Sequence, residues 1–161
     1  MCKIVTHGRG GNVGVKIEIE FDGLKELQKA FSELADDAEV TKVNKRIVTK
    51  CRDHAAGVME KKIPRSANNA KSGKKGYRPH GHAASNVPVS NVKISKGEPY
   101  ATVGWEKADN SEYFYMKFVE WGTYKMQPRD FIYKTINECW QAWDGYAEEE
   151  YQGFLDGKLG D

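Results

Sequence analysis

Val13-Gly14-Val15-Lys16-Ile17-Glu18-Ile19-Glu20-Phe21 alternates apolar with small or charged residues, and Asp22-Gly23 ends the run. A two-residue period places every second side chain on the same side, so this stretch predicts a strand with one buried and one wet face. The period then changes. Leu24, Leu27, Phe31 and Leu34 fall at helical spacing, predicting a short amphipathic helix from about Gly23 to Ala35. Asp36-Asp37 interrupts it and offers an N-cap to a longer helix with the stripe Val40, Val43, Ile47, Cys51, Ala55, Val58 and Met59. That helix is expected to stop near Lys62-Ile63, because Pro64 lacks an amide and disfavours helix at the residue before it.

On the N-terminal side, residues 1–12 are polar and glycine-rich and are expected to form a flexible arm. On the other side, residues 65–82 carry glycine, serine, asparagine and lysine with no apolar period, which predicts a long mobile loop. Val87, Val89, Val92 and Ile94 mark a strand with a slip in register at Ser90-Asn91. Lys96-Gly97-Glu98-Pro99 reads as a turn and Tyr100–Trp105 as the second strand of a hairpin. The aromatic run from Tyr113 to Trp121 suits either a strand or a short helix. Phe131, Ile132, Thr135, Ile136, Cys139, Trp140, Trp143 and Tyr146 then predict a final helix of about 20 residues, with residues 151–161 fraying. The expected fold is one α+β domain over residues 13–150. It has a small antiparallel sheet, with the long helix and the C-terminal helix packed on one face.

A chain of 161 residues can bury roughly two-thirds of its unfolded surface, enough for one core without covalent staples. Its longest apolar runs are a few residues, far below the roughly 20 that a membrane helix needs. The opening residues have no apolar stretch of signal-peptide length, so a cytoplasmic product is expected and no membrane partner. Cys2, Cys51 and Cys139 are widely spaced and form no C-x-x-C pair; reduced thiols are expected, with Cys51 and Cys139 on buried helix faces. Net charge is +2, but it is segregated: nine basic residues and no acid lie between Lys61 and Gly97, and eight acids oppose two lysines from Asp130 onward. Such a two-ended molecule suits an anionic partner or a copy of itself placed head to tail.

Signals for catalysis are poor. Gly8-Arg9-Gly10-Gly11 precedes a strand, whereas a phosphate-cradling loop follows one and opens a helix. His80-Gly81-His82, with His7 or His54 as a third imidazole, is a weak metal pattern without nearby acids or cysteines, so no metal and no cofactor are expected. Glu120 sits among aromatics where burial raises a carboxyl pKa, yet no second acid is placed to work with it; a strand-end or interface ion pair is the expected role. Lys71, Lys74, Lys75, Arg78, His80 and His82, with Tyr77 among them, have three readings. They are a solvated loop, a contact for DNA in a channel, or a contact for an acidic surface of a neighbouring subunit.

The segment Tyr113-Phe114-Tyr115-Met116-Lys117-Phe118-Val119-Glu120-Trp121-Gly122-Thr123-Tyr124-Lys125-Met126-Gln127-Pro128-Arg129-Asp130-Phe131-Ile132 resembles the signature of the head–tail joining or tail-completion (minor tail, neck) proteins of bacteriophages with long non-contractile tails. The matching positions are Tyr115, Phe118, Val119, Glu120, Gly122, Thr123, Lys125, Met126, Pro128 and Phe131. The order of the other parts agrees from Val13 to about Tyr146, and Lys71–Arg78 with Gly81-His82-Ala83 resembles a variant from phages of Gram-positive bacteria. Many members have proline where this chain has Asp130, which can still serve as an N-cap. The acidic, aromatic stretch from Trp140 to Asp161 is less typical.

The resemblance implies a structural virion protein rather than an enzyme, assembled in the bacterial host cytoplasm. It implies a homo-oligomeric ring, a hexamer, at the junction of head and tail. Its neighbours would be the head connector or stopper and the tail-tube or tail-terminator proteins, with DNA in the channel as a further contact. The signature itself is expected to build the fold. Because a ring needs unlike patches to meet, the basic middle segment, Lys74 and Lys75 above all, is expected to face the acids Glu148–Glu150 of the next subunit.

Overall fold

The computed structural model describes residues 2–5, 15–21, 36–66, 81–106, 109 and 111–159. The chain is α+β. Strands β1 (Cys2–Val5), β2 (Val15–Phe21), β3 (Lys93–Ser95) and β4 (Glu98–Trp105) form one antiparallel sheet in the order β1-β2-β4-β3. Helices α1 (Asp37–Lys62), α2 (Met116–Trp121) and α3 (Phe131–Leu159) complete the described fold, with a 3₁₀ turn at Ala83–Asn86. The helix expected over Gly23–Ala35 lies outside the described residues.

Register explains why one sheet face is apolar. Ile17 pairs with Val103 and Ile19 with Ala101, and all four side chains are fully buried beside Trp105. Lys16 and Glu18 take the opposite face, where they form an ion pair at 3.5 Å. The strand expected over Val87–Ile94 is shorter, β3 covering only Lys93–Ser95. Ahead of it Val89 makes an isolated bridge to Val103, whereas Lys93 pairs with Tyr100, so the register slips by one residue between them as expected. Only Lys96-Gly97 turn the hairpin, both with positive φ (52° and 86°), while Glu98 and Pro99 already belong to β4. The expected four-residue turn is thus a two-residue one, whose twist matches the strands it joins.

Two other expectations change. Residues 2–5 are a strand along the free edge of β2, with Ile4 opposite Ile19, so the N-terminal arm is in part sheet; Ile4-Val5 are β-branched residues that suit that place. At the other end, α3 continues to Leu159, through most of the 151–161 stretch expected to fray. Its apolar stripe extends through buried Tyr151 and half-buried Phe154 and Leu155, and Lys158 Nζ reaches Glu39 at 2.8 Å.

The long helices pack antiparallel. Asp36 caps α1 by accepting from Glu39 N at 2.8 Å, and Ile63 ends it ahead of Pro64. Along the seam Arg46 and Lys50 hold Glu150 at 2.9 and 2.7 Å, His54 meets Tyr146 edge-on, and Lys62 pairs with Glu138. Inside it, Val43, Ile47, Cys51, Ala55, Val58 and Met59 face Cys139 and Trp143, all buried. Cys51 and Cys139 form no disulfide, and burial pushes the Cys139 thiol up to about 11.

Tyr151 donates its hydroxyl to Asn44 Oδ1 at 2.6 Å inside this seam, and burial raises its pKa to about 12, so it stays a donor at any ordinary pH. Asn44 is the one polar residue on the buried stripe of α1. Tyr151→Phe leaves its carbonyl oxygen buried without that donor, and unfolding in urea should show a loss of about 1–3 kcal/mol. An unchanged midpoint would mean that the bond adds nothing.

Candidate assembly interface

The segment with the family-like signature folds as a compact device around Glu120. Asp109 starts it by accepting from Ser111 N and Ser111 Oγ at 2.8 and 2.7 Å, and Phe114 N bonds Ser111 O to begin a helical turn. The ambiguity over 113–121 therefore resolves as a turn at 113–115 leading into the helix Met116–Trp121. Tyr113, Met116 and Glu120 point inward and are buried, with Tyr113 and Phe131 both ringed around Trp105 at 6.5 Å.

Helix α2 ends at Gly122, whose backbone (φ 74°, ψ 179°) is open to glycine alone. A Cβ there would lie 2.7 Å from Met126 O, 2.8 Å from Pro128 N and 2.9 Å from Pro128 Cδ. The chain can fold back this closely only because the side chain is missing. Thr123 and Met126 close a small turn through two backbone bonds, 2.8 and 3.2 Å, with Tyr124 and Lys125 at its tip. Lys125 N is further held by Thr123 Oγ1 at 3.2 Å.

The returning strand then answers both helix ends. Arg129 N donates to Val119 O and Asp130 N to Glu120 O, satisfying carbonyls at the C-terminal end of α2. In return the Glu120 carboxylate accepts from Phe131 N at 2.7 Å and Ile132 N at 3.2 Å, capping α3. Burial raises the Glu120 pKa above the ordinary glutamate value; the two amides oppose that rise without cancelling it. The ion pair expected for Glu120 is replaced by this pair of backbone amides. Asp130, expected as the cap, instead has φ +49°, a conformation that aspartate tolerates and proline cannot adopt.

The remaining signature residues divide by face. Phe131 is buried, Val119, Tyr115 and Met126 are half-buried, and Phe118, Thr123, Lys125 and Pro128 are exposed. Three residues outside the expected site join the exposed set: Phe114, Trp121 and Tyr124, the last 97% exposed. Phe114, Phe118 and Trp121 recur at helical spacing opposite the buried Tyr113, Met116 and Glu120. That periodicity was available in the sequence but hidden, since five of the nine positions in the run are aromatic and they fall on both sides.

The basic loop is a different matter. Lys71, Lys74, Lys75, Arg78 and His80 lie outside the described residues; His82 is half-buried at the start of the 3₁₀ turn. The acids set against them are partly engaged already. Glu149 and Glu150 pair with Lys50 and Arg46 of the same chain, leaving Glu148 of the three outside such pairs among the described residues. No three His, Cys, Asp or Glu side chains among the described residues gather as a metal-holding group. No helix there is long and apolar enough to cross a membrane. Comparison with protein-family models, with curated proteins and with solved structures finds no match for this chain.

Proposed function

We propose that this chain is a structural subunit of a tailed-phage virion, assembling into a ring that completes or joins the tail at the head–tail junction. One observation carries the reading. The segment resembling the tail-completion signature turns its fold-holding contacts inward, through Glu120 and Gly122, and presents Phe114, Phe118, Trp121 and Tyr124 outward. Several exposed aromatics on one firmly bonded segment are a mark of a protein–protein contact. Electron microscopy of the purified chain mixed with tail tubes tests it: ring-shaped density at the tube end is expected, and bare tube ends would count against the reading.

The rival is a nucleic-acid-binding module that uses residues 61–82, favoured by their acid-free basic composition. The two differ in salt dependence. Each phosphate contact adds about 0.9 to the slope of log affinity against log salt. On the assembly reading, deleting Lys71–Arg78 leaves that slope nearly unchanged; a steep slope that collapses on deletion supports the rival.

A further inference from the structure

Resting on the assembly reading, we infer that the α2 face of one copy docks on the outer face of α3 of a second copy, head to tail. The first patch is aromatic and cationic. Phe118 and Trp121 line the exposed side of α2, Phe114 is exposed on the turn leading into it, and Tyr124 stands on the pinned turn that follows. Lys117 lies over the Phe118 ring at 5.3 Å, Lys125 shares the tip with Tyr124, and Arg129 is exposed just beyond. The one acid within Met116–Arg129, Glu120, is turned inward onto α3.

The second patch is aromatic and anionic. Trp140, Asp144 and Glu148 follow each other at intervals of four on α3, all exposed. Asp144 and Glu148 stand outside the ion pairs that tie Glu138, Glu149 and Glu150 to α1. The acidic C-terminal helix is thus divided: one row holds the fold together and the other faces outward with its charge uncompensated among the described residues.

These two patches are complementary in sign, and each carries exposed aromatic surface: four rings on the first and Trp140 on the second. An α2-to-α2 contact would set Lys125 and Arg129 against their own copies, a repulsive arrangement. The favoured contact is therefore between unlike patches, the kind that repeats from subunit to subunit and closes a ring. Tyr124 contributes most because its turn is already fixed by the Thr123–Met126 bonds, so little ordering is lost when it is covered.

The test uses two variants of the full chain, each changing only exposed side chains: Phe118→Ser with Tyr124→Ala, and Asp144→Lys with Glu148→Lys. Thermal unfolding followed by circular dichroism first establishes that both fold like the parent. Sedimentation equilibrium should then show self-association weakened about 30-fold or more in each. Mixed in equal amounts, the two should recover a one-to-one heterodimer that grows no further, because each supplies the patch that the other lacks. Association that persists in either variant, a mixture that stays monomeric, or a parent chain monomeric to millimolar concentration overturns the inference. So does loss of single-stranded DNA binding, rather than of self-association, in the first variant. The tube-end microscopy is independent of these outcomes: rings there with association intact in both variants would sink the docking faces and leave the assembly reading standing.

Discussion

Gly122→Ala is expected to destabilise the folded chain by about 4 kcal/mol. Two costs combine. The backbone at φ 74° and ψ 179° is almost closed to residues with a Cβ, and that Cβ would come within 3.0 Å of three atoms. All three belong to backbone or to a proline ring, so none can swing aside. Relief requires the Thr123–Met126 turn to open and Pro128 to move, which loosens the strand that caps α2. Gly57→Ala is the matched control. Gly57 lies within α1 with open space around the new methyl group, and the same chemical change there should stabilise by about 0.5–1 kcal/mol. Urea midpoints of the two variants, moving in opposite directions from the parent, check the pair; a Gly122→Ala midpoint within error of the parent would mean that the fold-back is looser than described.

Glu120→Ala comes second, with an expected loss of about 3 kcal/mol. It removes the acceptor for Phe131 N and Ile132 N, where α3 enters the core. Glu120→Gln keeps an acceptor oxygen and should lose less than half as much. The parent and the glutamine variant also differ in pH dependence, and the sign follows from the direction of the shift. Because the folded carboxyl titrates above the ordinary value of 4.5, the folded state holds its proton more tightly than the unfolded one between those two values. Stability from this group is present below 4.5, falls as pH rises to the folded pKa, and is level above it. Glu120→Gln should remove that decline. Equal midpoints for alanine and glutamine at all pH values would show that the carboxylate does not hold the helix.

Most of the fold was legible in the sequence because its elements are held by periodicity. Ile17 and Ile19 alternate strictly and are buried where alternation puts them; the stripe Val43 to Met59 repeats at helical spacing and is the buried side of α1. What escaped was whatever depends on a distant partner. Asn44 looks like a solvent residue until Tyr151, over a hundred positions away, supplies its donor. Residues 2–5 look like a loose arm because pairing with β2 is a backbone matter that side-chain pattern signals weakly. Residues 151–159 look frayed until α1 is in place to receive Tyr151 and Lys158.

The candidate interface was legible only in part, for a similar reason. Gly122 and Glu120 stand out as odd residues within an aromatic run, but their roles emerge from contacts across the turn. The Glu120 carboxylate meets two backbone amides rather than a cation, and any residue but proline at 131 and 132 would provide them. The segregation of acids and bases was visible, yet its meaning was not, because Arg46, Lys50 and Lys62 of α1 pair with Glu138, Glu149 and Glu150, three of the eight acids from Asp130 onward. Only the geometry separates the carboxylates that tie the two helices together from Asp144 and Glu148, which stand exposed outside those pairs.

Quantitative mass spectrometry of purified phage particles tests the central claim most directly, by counting copies of this chain against the head connector. A structural subunit of the head–tail junction should copurify with intact virions at one fixed, small ratio to the connector, whatever the salt used in washing. A chain that is abundant in the infected lysate and missing from the particles would contradict the account.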